Sequence, residues 1–139
     1  MIRSVMLFCC VVCSGISFFS FRQKPKFDLK ESVTRGKDIY IINCLSCHLD
    51  QGEGIEGLYP PLAKSDYLMA DKKRAVQQTL KGIKGEMKVN GKMYNGEMNG
   101  FDLTDNDLSD VLNYIRNSFG NKGTAITPEE VKASRKSIK

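Results

Sequence analysis

Two thiols and one imidazole stand together at Cys44-Leu45-Ser46-Cys47-His48, and His48 is the sole histidine of the 139-residue chain. On a helix, positions i, i+3 and i+4 share one face and span about 6 Å of axial rise, so all three groups can address one flat ligand. This is the spacing that attaches haem covalently. Cys44 and Cys47 are expected to form thioethers with its two vinyl groups, and His48 to give an imidazole nitrogen to the iron as proximal axial ligand. Other chemistries fit less well. A redox-active Cys-x-x-Cys wants a βαβ context, which the flanking sequence lacks. Structural zinc wants four ligands, and past the N-terminal segment only Cys44, Cys47 and His48 are on offer without carboxylates. A disulfide between Cys44 and Cys47 leaves His48 without a role.

With one histidine, bis-histidine ligation within the chain is excluded, so the sixth iron position falls to methionine, lysine, water or nothing. Met69, Met87, Met93 and Met98 compete for it. Met69 precedes a helix. Met87 and Met93 sit in an expected hairpin, where a methionine usually packs. Met98 is expected in the glycine-flanked loop that follows. No acid–base or nucleophile constellation suggests an enzyme.

The elements that position these groups read mainly as helices. Val33, Gly36, Tyr40 and Asn43 recur at helical spacing, predicting an amphipathic helix over 32–43 that runs into the cysteines. Gly36 inside it costs about 1 kcal/mol against alanine, which points to another helix crossing closely there. A glycine-rich turn follows His48. A second helix is expected from its cap Asp71 to its stop at Gly82. The period then changes to two around Met87 and Val89, with Asn90-Gly91 as a turn, predicting a short β-hairpin. Thr104 and Asp107 cap a further helix whose stripe is Leu108, Val111, Leu112 and Ile115, ended by Gly120. Thr127-Pro128-Glu129-Glu130 opens a short tail helix with few apolar residues, expected to dock loosely.

The chain is long enough for one domain of roughly 90–100 residues plus extensions. We divide it into an N-terminal segment at 1–21, a charged proline-containing linker at 22–30, the domain at 31–120, and an extension with a short helix at 121–139. Arg3 precedes an almost wholly apolar run from Val5 to Phe21, the layout of a secretory signal, with Gly15-Ile16-Ser17 offering small residues for cleavage. An uncleaved membrane anchor is the alternative. Three of the five cysteines, Cys9, Cys10 and Cys13, fall in this segment, so cleavage would leave only Cys44 and Cys47 to meet the oxidising compartment. The expected location is the periplasm, or the membrane facing it.

These ordered motifs resemble the class I monohaem cytochromes c over roughly 31–120 and more loosely through the tail. Tyr59-Pro60-Pro61-Leu62, Val89-Asn90-Gly91-Lys92 and Tyr94-Asn95-Gly96-Glu97-Met98 are most similar to small bacterial members, free-standing or fused to respiratory oxidoreductases. The resemblance implies an all-α cytochrome c fold with a short β-hairpin insertion before a distal methionine loop, and one covalently attached haem c. It implies that Pro60 offers its carbonyl to the second ring nitrogen of His48 and that Leu62 packs on the haem. It also implies that Met98 is the distal ligand, although Asn99 stands where the family usually has proline.

The implied function is single-electron transfer by Fe(III)/Fe(II) cycling between redox donor and acceptor proteins. The alternatives are an accessory subunit of an oxidoreductase complex, or a haem-based ligand sensor or enzyme should the distal methionine be labile. The balance of 21 basic against 16 acidic residues does not imply nucleic acid. Lys81, Lys84, Lys88 and Lys92 cluster near the hairpin and could steer an acidic partner, while Asp102, Asp105, Asp107 and Asp110 crowd the last domain helix. A plainly solvated charged surface explains both clusters equally well.

Overall fold

A computed structural model describes residues 26–138; the expected leader or anchor, with Cys9, Cys10 and Cys13, lies outside the described residues. Within them the order is α1 (Leu29–Asn43), α2 (Leu45–His48), α3 (Asp66–Ala70), α4 (Lys72–Lys81), β1 (Gly82–Val89), β2 (Lys92–Asn99), α5 (Asp105–Arg116) and α6 (Pro128–Lys136). No described helix is long and apolar enough to cross a membrane.

α1 begins earlier than its apolar periodicity suggests and takes the last two residues of the expected linker. Asp28 caps it, its carboxylate accepting from the Lys30 and Glu31 amides at 2.8 and 3.1 Å, which satisfies donors that a helix start otherwise leaves open. α1 crosses α5 at Gly36, where even a methyl group would fall 2.0 Å from the Asp110 carbonyl oxygen. Side chains lock the same crossing. Asp110 accepts from Ser32 Oγ at 2.6 Å and from Arg35 Nε and Nη2 at 2.6 and 2.9 Å. Asp110 is therefore interior, and Asp105 is bound to Arg135 at 2.8 Å, so the acidic cluster read at this helix is half consumed by internal pairing. Gly36→Ala should lower the unfolding free energy by about 3 kcal/mol or more, since the clash is with backbone and only separation of the helices relieves it. Denaturant titration measures this; a change under about 1 kcal/mol would mean that the crossing is looser than described.

The hairpin is longer than expected. β1 and β2 pair antiparallel along eight residues each, from Val89 opposite Lys92 to Gly82 opposite Asn99. Met98 therefore lies in β2, opposite Ile83, and not in a loop. Gly85 and Gly96 look like breakers in the sequence, yet they face each other inside the ladder. Gly96 fits a close approach, since a Cβ there would lie 3.2 Å from the Leu58 carbonyl oxygen. α3, capped by Ser65 and only five residues long, has no apolar period to announce it.

The tail also differs from expectation: it is docked, not loose. Ile126 and Val131 are fully buried in the core with Tyr40, Val76, Leu108, Val111 and Leu112. The Asn113 amide donates to the Ile126 carbonyl and accepts from its N–H, both at 2.8 Å. Thr127 and Glu130 close a complete capping box on α6. Two well-placed apolar side chains and satisfied backbone groups suffice where a long stripe is missing.

Candidate haem site

The cysteine motif follows α1 through a break at Cys44, which ends α1 and starts α2. One helical turn still forms: the Cys47 and His48 amides donate to the Cys44 carbonyl at 3.2 and 2.9 Å. This turn carries Cys44, Cys47 and His48 to the wall of one cavity of about 450 Å³, a volume typical of small-molecule sites. Burial, with Cys47 adding to it, pushes the Cys44 thiol up to about 11, so it stays a protonated thiol near neutral pH.

His48 Nδ1–H donates to the Pro60 carbonyl at 3.0 Å. That bond fixes the tautomer, leaving the Nε2 lone pair as the ring's free donor. Burial lowers the imidazole's proton affinity more than the bond to Pro60 restores it, which keeps the ring neutral and able to ligate. Pro60 lies in a tightly held stretch, for the Leu62 and Ala63 amides both donate to the Gly52 carbonyl, at 2.7 and 2.8 Å. Leu62 joins Pro60 in lining the cavity.

The hairpin supplies another wall. Directly paired residues share a face of a sheet, so Ile83 with Met98, Gly85 with Gly96, and Met87 with Tyr94 look one way, while Lys88 with Met93 looks the other. The first face lines the cavity through Ile83, Met87, Val89, Tyr94, Gly96 and Met98, whereas Met93 is 57% exposed. Strand parity thus removes Met93 from contention, and Met69, in α3, is not among the lining residues, which leaves two sulfurs, Met98 and Met87.

α4 contributes Ala75, Gln78 and Thr79, and α5 contributes Val111, Leu112 and Ile115. Among the polar lining residues that sequence reasoning missed, Tyr67, Arg74 and Gln78 form one connected group. Arg74 is the one cation among the lining residues. Its guanidinium lies 3.9 Å over the Tyr67 ring and donates to the Tyr67 carbonyl, while Gln78 Nε2 donates to the Tyr67 hydroxyl at 2.7 Å. The helical spacing of Arg74 and Gln78, i and i+4, was the available signal; the short α3 that brings Tyr67 to them gave none.

All six residues singled out for the cofactor, Cys44, Cys47, His48, Pro60, Leu62 and Met98, line this cavity. The sequence profile of the Cytochrome c family matches residues 33–119. The chain belongs to the cytochrome c family. Its members bind a covalently attached haem c with iron and act as electron carriers, not enzymes. Among relatives, cytochrome c-552 of Thermus thermophilus is 37% identical over 110 residues, covering 72% of this chain and 83% of that protein. The cytochrome c subunit of a quinone alcohol dehydrogenase from Gluconobacter oxydans (strain 621H) is 29% identical over 88 residues, covering 62% of this chain but 18% of that protein. These likenesses support a haem c electron carrier or an accessory cytochrome subunit. The donor set suits the group: two thiols and a neutral imidazole on one turn, with thioether sulfurs on the hairpin wall of the same cavity.

Proposed function

We propose that this chain shuttles single electrons between redox proteins outside the cytoplasmic membrane, with Cys44 and Cys47 holding the haem and His48 and Met98 as its axial ligands. The observation that carries the reading is the convergence of both thiols, the Nε2 lone pair of His48 and the inward face of the hairpin on one cavity. Bound there, the haem supplies a one-electron Fe(III)/Fe(II) couple. The chain's own part is to hold that couple in a packed, mostly apolar site. Arg74, stacked on Tyr67 at the cavity wall, would offer its guanidinium to the haem's carboxylates.

Between the two inward methionines, Met98 is favoured by its surroundings. Met87 stands opposite the buried Tyr94 and near the buried Val89, where it has a packing role. Met98 stands opposite the partly buried Ile83, with no buried aromatic partner across the ladder. The two lie four register positions apart, about 13 Å along the strands, so one iron cannot accept either indifferently. Export rests on the Arg3 and Val5–Phe21 layout.

The basic surface steers less than its lysine count suggests. Lys84 pairs with Glu97 at 3.4 Å and Lys92 with Glu56 at 2.6 Å, leaving Lys81 and Lys88 without ion pairs among the described residues. A potentiometric titration should show one Nernstian one-electron wave. Stopped-flow reduction by an acidic redox protein should slow only a few-fold as ionic strength rises from about 0.01 to 0.15 M. Lys81→Glu with Lys88→Glu should abolish that dependence. Absence of a reversible wave would refute the carrier reading, and a salt-independent rate would return both lysines to plain solvated surface. The accessory-subunit reading is favoured by the likeness to the dehydrogenase subunit, and would show as stable co-purification with an oxidoreductase.

A further inference from the structure

Asn121 lies just past α5, is 7% exposed, and has its amide nitrogen fully engaged. Nδ2 donates to the Leu62 carbonyl and to the Ile115 carbonyl, each at 2.8 Å. Both partners can only accept, so the amide must present its NH2 to them; rotated, it would set oxygen against oxygen. Its Oδ1 is buried and meets no donor. A buried orphan acceptor costs stability, so the residue is not optimised for its own hydrogen bonding. It is oriented for the two carbonyls.

The Leu62 carbonyl belongs to the stretch that partners His48. Pro60 accepts from His48 Nδ1–H at 3.0 Å, and the Gly52 carbonyl holds the Leu62 and Ala63 amides. Pro61, with its fixed φ, lies between, so a shift at Leu62 passes to the Pro60 carbonyl. Arg116 grips the same segment further on. It is 3% exposed, donates Nη1 to the Leu68 carbonyl at 3.0 Å, forms no ion pair among the described residues and leaves Nε unpartnered.

We propose that Asn121 is a positioning residue for the proximal histidine: by tying the Leu62 carbonyl to the end of α5, it holds the Pro60 carbonyl on His48 Nδ1–H. The inference rests on the reading of His48 as iron ligand. A carbonyl held on that N–H makes the opposite nitrogen a stronger donor, which favours ferric iron. Loosening it therefore raises the reduction potential. A residue of the C-terminal extension, with no place in the haem cavity, thereby sets a property of the iron.

The test uses the full-length haem-loaded protein and two variants at buried asparagines. Asn121→Leu keeps the branching and heavy-atom count and removes both donors. Asn113→Leu breaks an amide that bonds Ser32 and Ile126 but makes no hydrogen bond to the Pro60–Leu68 stretch. Solvent exchange of the His48 Nδ1 proton, followed by NMR in the reduced protein, should accelerate at least tenfold in Asn121→Leu, with a raised midpoint potential. Asn113→Leu should lose stability with neither change. Should Asn121→Leu fail to fold, Asn121→Ala removes both donors with a smaller side chain and is read the same way. Unchanged exchange at Asn121, or equal acceleration in Asn113→Leu, overturns the proposal. Hyperfine shifts of the His48 ring in the ferric wild type report ligation separately. Their absence sinks the ligand reading and the proposal with it, whereas their presence with unchanged exchange sinks only the positioning role.

Discussion

Met98→Ala is expected to lower the midpoint reduction potential by about 0.2–0.4 V, part of the roughly 0.8 V over which axial ligands move haem potentials. A soft thioether sulfur stabilises the reduced iron, so its removal favours the ferric form and opens a coordination position. The same variant should lose the weak red-end absorption band of methionine–iron ligation and should bind carbon monoxide when reduced. Met87→Ala is the informative comparison, because it shares the inward face of the hairpin. It should keep the band and exclude carbon monoxide. Met93→Ala, on the outward face, should do the same. A band that survives in Met98→Ala and vanishes in Met87→Ala would move the ligand four positions along the sheet.

Cys47→Ala should leave at most one thioether, and Cys44→Ala with Cys47→Ala together should abolish covalent attachment. The expected loss of stability is large. The haem would occupy the cavity between α4, α5 and the hairpin, and without it Ala75, Val111, Leu112 and Ile115 line a void. Cavities of far smaller volume already cost about 3–5 kcal/mol in protein cores. The double variant should therefore be recovered without haem and with a collapsed thermal transition. Normal haem content in that variant would show that the two thiols are not the attachment points.

How much of this was legible depended on how local the determinants are. Cys44, Cys47 and His48 need only one turn of chain to converge, so their spacing announced the site. The caps at Asp71, Thr104 and Thr127 are equally local, and each side chain accepts the amide expected of it. The strand placement of Met98 was hidden because Gly85 and Gly96 interrupt the alternation, and only their pairing across the sheet explains them. The docked tail was hidden because only two separated residues, Ile126 and Val131, carry its contact with the core. Ser32, Ser109 and Asn113 are interior although nothing local in the sequence marks these polar residues for burial. Arg74 and Asn121 act through contacts with Tyr67 and Leu62, which lie seven and 59 residues away. No periodicity encodes such pairs.

The central claim, one haem c bound through both cysteines, is tested most directly by acidified-acetone extraction of the purified wild-type protein followed by its intact mass. The colour should stay with the polypeptide, and the mass should exceed that of the chain by one haem, with neither Cys44 nor Cys47 open to thiol alkylation. Haem that passes into the organic phase, leaving an unmodified chain with two alkylatable thiols, would contradict the account.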